Sequence, residues 1–199
     1  MTELYHWEPN LFHLKPLVAL HEKGVAFTSR WRDPLDFDAA PIPGMNLETA
    51  NNPEINGPVL VDRGETISES FFMLEYIDEA FPQAPRLLPD SAEGKWRVRV
   101  WARLLGERTA PAVASLGCHI HLARRLRDGF AGNPDAVLAG MDRLEARMAW
   151  TPALRDQYSV EELAESRRKL ADAVRRVEEA LGAGDWLLGE GYSLADIEA

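Results

Sequence analysis

The chain is poor in cysteine and has no long hydrophobic run. Its 199 residues include a single cysteine, Cys118, so an intrachain disulfide and a Cys-x-x-Cys redox motif are both excluded. The first residues, Met1-Thr2-Glu3, lack the basic and apolar regions of a signal peptide, and no apolar run approaches the length of a membrane span. We therefore expect a protein of the reducing cytoplasm that does not cross a membrane.

An excess of basic charge is also missing. The sequence has 22 lysines and arginines against 32 acidic residues, which gives a net charge of −10. Nucleic-acid-binding proteins usually carry a basic patch, and anionic membranes also attract basic segments. The sequence contains no Gly-x-Gly-x-x-Gly, no P-loop and no Gly-x-Ser-x-Gly motif. We expect neither a nucleic acid nor a membrane as a partner.

The first third of the chain predicts a strand, a helix and a second strand. Leu4–Trp7 is short, aromatic and typical of a strand. Leu14–Lys23 is apolar on one side, with Pro16 in the expected first turn and Gly24 at the expected end of the helix. Phe27–Arg32 alternates in the manner of a strand. A strand-helix-strand order predicts a parallel pair with a right-handed crossover.

The segment from Asn56 to Ser70 organises the predicted N-terminal half. Pro58–Val61 is a short apolar strand, Asp62–Glu65 a turn, Thr66–Ser68 a second strand edge, and Glu69–Ser70 the start of a helix. A hairpin that leads into a helix N-terminus presents backbone amides and a serine hydroxyl, both suited to a carboxylate. The same pattern also fits an ordinary connection between a hairpin and a helix.

The remaining pattern is helical. The predicted helix after the hairpin ends near Pro82–Pro85, which we interpret as a linker between residues 1–85 and residues 86–199. From Ser91 onward the apolar spacing is helical, and Pro111 is expected to break or kink the run. Ser159–Glu162 and Ser193–Asp196 are capping boxes that predict two further helix starts.

The second capping box stands very close to the end of the sequence. A helix that begins at Ser193 has barely one turn before the last residue, Ala199. The capping box predicts a helix, but too few residues follow it to form one, so the local signal disagrees with the length of the sequence. We therefore expect that the natural protein continues beyond the given sequence.

Three motifs together resemble the glutathione S-transferase superfamily. They are the proline-led hairpin strand, the Glu-Ser helix start and the trailing D-W-L-L-G-x-x-x-S-L-A-D-I. The resemblance implies a thioredoxin-like α/β domain followed by an all-α domain, with glutathione as cofactor and a homodimeric assembly. It also implies that Asn56, Gly57 and a cis Pro58 hold the cysteinyl part of glutathione. Glu69 and Ser70 would hold the γ-glutamyl end.

Within that superfamily, the N-terminal segment is similar to the bacterial β-aryl etherases of lignin breakdown. The similarity lies in L-Y-H-W-E-P-N-L-F-H-L-K-P-L-V and in D-E-A-F-P-Q-A-P-R-L. It implies that the thiolate of glutathione displaces a phenolate from a small aromatic substrate.

Other positions depart from the family pattern. Family members place Ser, Tyr or Cys just after the first strand to stabilise the thiolate, whereas residues 7–15 contain none of them. Asn10 and His13 are the candidate donors, although each also fits a plain role as a turn residue or a buried histidine. Gly57 replaces a valine, and Glu48 lies where the etherases carry lysines suited to the glycine carboxylate.

The predicted substrate contacts come from both halves of the chain. The candidates are Trp7, Phe12, Trp101, Cys118 and His119, with Phe130 as a further aromatic residue. Core packing is the alternative for most of them. We expect no metal site, because His119 and His121 are two residues apart and point away from each other on a helix.

The departures leave two other functions open. One is a non-catalytic binding protein with the transferase fold. The other is a lyase or isomerase that works without glutathione and uses His13 as acid or base.

Overall fold

The computed structural model contains a four-stranded mixed sheet in the N-terminal half. Its strands are β1 (Glu3–His6), β2 (Thr28–Trp31), β3 (Val59–Asp62) and β4 (Glu65–Ile67). The order is β2-β1-β3-β4; β1 and β2 are parallel, and both other pairs are antiparallel. The structure describes residues 1–7, 10–33, 42, 44, 57–123, 133–141, 144–189 and 191–199. The predicted order of elements is confirmed.

Helix α1 (Leu11–Glu22) begins three residues earlier than predicted. Asn10 is its N-cap, and the Asn10 side-chain oxygen accepts the Phe12 amide at 2.9 Å. Pro16 therefore lies inside the helix and not in its first turn, so that prediction is wrong. The end of the helix was predicted well, because Gly24 has a φ of 61° and Val25 N–H donates to the carbonyl of Leu20.

The hairpin follows the predicted boundaries closely. Arg63 and Gly64, between β3 and β4, both have positive φ values, 54° and 91°. Two left-handed residues in a two-residue loop match the twist of antiparallel strands. The chain then enters α2 (Ser70–Ala80). Strand β2 lies at the sheet edge with Trp31 55% exposed, so its alternating sequence does not correspond to a buried face.

The second half of the described chain is helical. Its elements are α3 (Ala92–Ala102), a π-helical segment (Arg103–Thr109), α4 (Ala110–Gly117), a second π-helical segment (Cys118–Leu122), α5 (Pro134–Gly140), α6 (Leu144–Arg155), α7 (Val160–Leu181) and α8 (Leu194–Glu198). Both capping boxes are confirmed at the starts of α7 and α8. No described helix is both long enough and apolar enough to cross a bilayer.

The expected break at Pro111 does not occur. A proline has no N–H to donate, and in a regular α-helix this would interrupt the hydrogen-bond ladder. Here the wide turns of the first π-helical segment precede it, and Ala110 N–H bonds to the carbonyl of Leu105. The Thr109 hydroxyl donates to the carbonyl of Leu104 at 2.9 Å. The helical run therefore passes through Pro111, and the carbonyls of Leu104 and Leu105 before it are both hydrogen-bonded.

One hydrophobic core includes side chains from both halves of the chain. Sheet and helix residues such as Leu4, Leu60 and Ile77 belong to the same buried cluster as Val98 of α3 and Leu194 of α8. Helix α8 is short, but its buried side chains make it part of this core. The division of the chain near residue 85 stays a prediction.

A buried ion pair ties the C-terminal ends of α1 and α2 together. Lys23 Nζ lies 2.9 Å from Asp78 Oδ1, and neither side chain is exposed to solvent. Asp78 also accepts the backbone amides of Leu87 and Leu88, at 2.8 and 3.1 Å. Lys23 donates in addition to the carbonyl of Pro85 at 3.1 Å. The pair therefore also fixes the segment that leads from α2 to α3.

The environment of Asp78 favours its ionised form. Burial alone would raise the pKa of the carboxyl group. The hydrogen bonds from Leu87 N–H, Lys23 and Leu88 N–H outweigh burial and lower the pKa below its ordinary value of 3.8. Because the folded pKa lies below the unfolded one, this carboxylate stabilises the fold above about pH 4. The contribution is lost as the pH falls through the folded pKa.

We predict that Asp78→Asn strongly destabilises the protein. The substitution leaves the Lys23 ammonium buried without a counter-charge, which typically costs about 3–5 kcal/mol. Chemical denaturation at pH 7 measures the loss, and the variant should also lose part of the acid dependence of stability below about pH 4. Glu107→Gln, in an exposed ion pair with Arg103, is the matched control and should change little. Equal effects of the two substitutions would contradict the assignment.

Candidate functional site

The register of the sheet brings the candidate residues together at the edge that is formed by the ends of its strands. Strands β1 and β3 are antiparallel with Tyr5 opposite Val59, so continuing the register by two residues places Trp7 opposite Gly57. Strand β3 is also antiparallel to β4, with Leu60 opposite Ile67. The end of β1, the start of β3 and the end of β4 therefore meet at this edge.

Helix α2 begins at this edge. Continuing the β3–β4 register by two residues places Glu69 opposite Pro58, and α2 starts at the next residue, Ser70. Pro58 is fully buried and Gly57 is half-buried. The hairpin positions that the sequence singled out thus lie next to the residue that leaves β1. The cis form of the bond before Pro58 stays a prediction.

The N-terminus of α1 follows β1 and adds hydrogen-bond donors. The carbonyl of Asn10 accepts the amides of His13 and Leu14, at 3.2 and 3.0 Å, and its side-chain oxygen accepts the Phe12 amide. The side-chain NH₂ of Asn10 remains as a donor, and the Leu11 N–H has no acceptor within the helix. The positive end of the helix dipole lies at the same place, so this turn is suited to an anion.

His13 is buried at the junction between β1 and α1. Its side chain is 2% exposed, and Nδ1 accepts the backbone amide of Trp7 at 3.0 Å. In the neutral ring the proton is therefore on Nε2. The ring centroid lies 5.4 Å from that of Trp7. His13 thus connects the residue that leaves β1 to the first turn of α1, and its role as a sulfur donor stays a prediction.

Glu69 has a strained backbone conformation. Its φ of 67° and ψ of 107° are rare for a residue with a side chain. Such strain persists where the surrounding structure enforces it, and it is frequent at binding sites. Glu69 is the N-cap of α2 but makes no capping hydrogen bond with its side chain. The first amides of α2 therefore keep their capacity to bind a carboxylate.

The predicted substrate residues do not all come together. Trp7 and Phe12 flank the N-terminus of α1, whereas Trp101 packs against the main core from α3. Cys118 contacts a separate apolar cluster that contains Leu138 and Trp150. At 1.5 Å per residue, Trp101 and Cys118 are about 25 Å apart along the helical run. Whether one substrate contacts both Trp101 and Cys118 stays a prediction.

Cys118 and His119 make their own local contacts. Burial raises the pKa of the Cys118 thiol, and its hydrogen bond with Tyr158 opposes that shift only in part. His119 Nδ1 lies 3.0 Å from Asp156 Oδ1, and its ring packs edge-on against Tyr158. These contacts connect the second π-helical segment to the turn after α6. A role in substrate binding stays a prediction for both residues.

Two further results concern residues that the sequence singled out and the question of a metal site. Asn56, Glu48 and Phe130 lie outside the described residues. In the described ranges, no three His, Cys, Asp or Glu side chains form an arrangement that would hold a metal ion.

Sequence reasoning missed two buried charged residues near the site. Lys15 of α1 forms an ion pair with Glu198 of α8, with Nζ 2.7 Å from Oε2. The available signal was the position of Lys15 between Leu14 and Pro16 in an otherwise apolar helix. The partner is 183 residues away, and no local pattern indicates it.

Comparisons with known proteins agree with this architecture. The family model of the glutathione S-transferase N-terminal domain matches residues 2–79, and that of the C-terminal domain matches residues 142–199. Protein LigF of Sphingobium sp. (strain NBRC 103272 / SYK-6) is 30% identical over 199 residues, which cover 98% of this chain and 75% of LigF. Glutathione S-transferase U26 of Arabidopsis thaliana is 34% identical over 105 residues, 53% of this chain and 44% of that protein.

Solved structures show the same relationship. The crystal structure of β-etherase LigF from Sphingobium sp. strain SYK-6 matches with a TM-score of 0.80 and 29% identity, over 99% of this chain and 80% of that one. A glutathione S-transferase from Methylobacillus flagellatus KT, solved with glutathione bound, matches in fold with a TM-score of 0.67 and 22% identity, over 100% of this chain and 79% of its own. Two family models and a relative aligned along nearly the whole sequence establish that this chain belongs to the glutathione S-transferase family.

Proposed function

We propose that the protein is a glutathione-dependent transferase that cleaves a small aromatic ether of the β-aryl type. The observation that carries the proposal is the convergence of the end of β1, Gly57–Pro58 and the starts of α1 and α2 at one sheet edge. The similarity to the β-etherase LigF supports the ether-cleaving reaction.

The chemistry of this edge fits the γ-glutamyl end of glutathione. That end carries an ammonium group and a carboxylate side by side. The Glu69 carboxylate is suited to the ammonium, while the first amides of α2 and the Ser70 hydroxyl are suited to the carboxylate. The backbone of Gly57, beside Trp7 in the extended register, offers a donor and an acceptor for the cysteinyl amide.

When bound, glutathione supplies a thiolate that forms a bond to the ether carbon while the phenolate leaves with the electron pair. The protein lowers the pKa of that thiol through donors at the N-terminus of α1. The Asn10 NH₂ and the Leu11 N–H lie in this turn, and the helix dipole favours a negative charge there. Trp7 and Phe12 supply apolar surface for the aryl group. We propose a cytoplasmic location.

A non-catalytic glutathione-binding protein is the second candidate. The observation in its favour is the lack of Ser, Tyr and Cys in residues 7–15, where the family pattern has the group that stabilises the thiolate. A glutathione-independent lyase with His13 as base has less support. The His13 ring is almost fully buried and its Nδ1 is already occupied by the Trp7 amide.

We predict that the wild-type protein binds glutathione and that changes at the start of α2 weaken binding. Glu69→Gln and Ser70→Ala each remove part of a charge-assisted hydrogen bond, so each should lower affinity about 10-fold or more. Isothermal titration calorimetry measures this loss. Ser115→Ala in α4, whose hydroxyl bonds to the carbonyl of Pro111, is the control and should bind as wild type. Unchanged affinity in both α2 variants would place glutathione elsewhere.

We predict that Asn10 lowers the thiol pKa of bound glutathione. Asn10→Asp keeps an N-cap oxygen but removes the NH₂ donor and adds a negative charge, so the pKa should rise and the rate of aryl-ether cleavage at pH 7 should fall at least 10-fold. Asn10→Ser keeps both a cap and a donor, and should retain more activity. The pH dependence of thiolate absorbance and of turnover provides the measurement. Identical profiles for the two variants would exclude Asn10 as the donor.

We also propose a homodimer, formed through the exposed face of α2 and α3. Phe72 of α2 and Trp96 and Val100 of α3 are exposed apolar side chains. Each lies within one helical turn of Glu75 or Arg99, whose ion pair at 2.9 Å joins the two helices. Grouped exposed aromatic residues of this kind are typical of protein interfaces.

Substitutions in the proposed interface should lower the molecular mass of the protein in solution. Phe72→Ser combined with Trp96→Ser should convert the dimer to a monomer in light scattering coupled to size-exclusion chromatography, because both anchors of the interface are lost. Met148→Ser, an exposed apolar residue of α6, is the control and should leave the mass unchanged. A wild-type protein that elutes as a monomer would disprove the assembly.

A further inference from the structure

The ion pair between Lys15 and Glu198 is buried at the boundary between α1 and α8. Its nitrogen and oxygen are 2.7 Å apart, and the two side chains are 6% and 1% exposed. A buried pair is costly to form, because both ions lose their hydration. It persists only where the surrounding structure fixes both partners, so its position relative to the site is informative.

Two other groups lie against the pair. Gly106 is in the first π-helical segment, and a Cβ atom there would be 3.7 Å from Lys15 Nζ and 3.8 Å from Glu198 Oε2. The backbone of that segment therefore approaches the pair closely. Lys15 Nζ also lies 5.3 Å from the centre of the Phe12 ring, within the range of a cation–π interaction. The ammonium thus connects α1, α8, the π-helical segment and Phe12.

Pro16 weakens the coupling of the first turn to the rest of α1. Pro16 follows Lys15 directly and has no N–H. The carbonyl of Phe12 therefore lacks the hydrogen bond that residue 16 donates to it in a regular helix. The turn before the proline holds Asn10 and Phe12. This turn has fewer backbone bonds to the body of the helix than a regular first turn has. The ion pair of Lys15, next to this interruption of the backbone hydrogen bonds, holds the first turn in place instead of the missing bond.

We infer that Lys15, held by Glu198, is a positioning residue of the candidate site. It fixes the first turn of α1, and so fixes the Asn10 donor and the Phe12 ring relative to the bound tripeptide and the aryl group. This inference rests on the proposed function for its catalytic consequence. The structural part of the inference, that Lys15 anchors the first turn of α1, does not depend on any ligand.

Amide hydrogen exchange tests the anchor directly. Lys15→Met should accelerate exchange of the His13 and Leu14 amides at least 10-fold, since both bond to the Asn10 carbonyl in this turn. Lys23→Met is a matched control, because it removes a buried lysine from the other end of the same helix. It should accelerate exchange of the Gly24 and Val25 amides and leave the first turn protected. Equal first-turn exchange in the two variants would overturn the inference.

The catalytic consequence has its own measurement. Glu198→Gln keeps the size of the partner and removes its charge, and it serves if Lys15→Met does not fold. The variant should shift the pKa of the bound thiol and lower kcat for aryl-ether cleavage at least threefold. Glu165→Gln, which removes an exposed ion pair with Arg168 in α7, should leave that pH profile unchanged. An unchanged profile in Glu198→Gln, with glutathione bound by wild type, would reduce the pair to a structural role and overturn the inference.

The failure of the proposed function is distinguishable from these results. If wild-type protein binds no glutathione in calorimetry, the proposed function and the catalytic part of the inference are both wrong. The exchange experiment needs no ligand, and it would still decide whether Lys15 anchors the first turn.

Discussion

The buried pair of Lys23 and Asp78 fixes the directions of the two helices on which the site depends. Helices α1 and α2 both begin at the sheet edge where the candidate residues meet, and both end near this pair. The Asp78 carboxylate also binds the amides of Leu87 and Leu88, which lead into α3. A displacement of either helix would separate two charges in a medium that does not solvate them, so the pair strongly opposes such motion.

Helix α1 is held at both ends by lysines that sequence patterns would place in solvent. Lys23 at its C-terminus pairs with α2, and Lys15 near its N-terminus pairs with α8. Between them the helix packs against the shared core through Ala19 and Leu20. The first turn therefore has a fixed position relative to both the hairpin and the helical half. A site that must orient a sulfur against a second substrate requires such preorganisation.

Local signals predicted much of the fold, and the failures have identifiable causes. The hairpin, the end of α1 at Gly24 and both capping boxes were correct because each depends on residues within a few positions. The start of α1 was wrong because two start signals competed, and the Asn10 cap prevailed over Pro16. The first π-helical segment was missed because a proline predicts a break, whereas the wider turns before it accommodate the missing donor.

The candidate site could be predicted only in part, because some of its contacts join residues that are far apart in the sequence. The hairpin and the Glu-Ser helix start are contiguous motifs, and the sheet register brings them beside Trp7. The charged pairs join residues 55 and 183 positions apart, and nothing in a single sequence links such positions. Helical periodicity gives the face of a residue but not its distance along the axis, so it did not reveal how far Cys118 lies from Trp101 along the helical run. Whether both residues contact the substrate stays a prediction.

Residues 7–15 contain no Ser, Tyr or Cys, so under the proposed function the helix N-terminus would have to stabilise the thiolate, and its expected contribution can be compared with the shift in pKa that is needed. A helix N-terminus stabilises a nearby anion by up to about 2 kcal/mol in a partly buried geometry. Since one pKa unit corresponds to about 1.4 kcal/mol, a thiol with a pKa near 8.5 would shift to about 7 at such a position. At neutral pH the thiolate would then change from a few per cent of the bound thiol to roughly half. An amide donor such as Asn10 adds to this effect, so under the proposed function the first turn of α1 could supply the stabilisation that the thiolate needs, and the position of that turn would matter for the reaction.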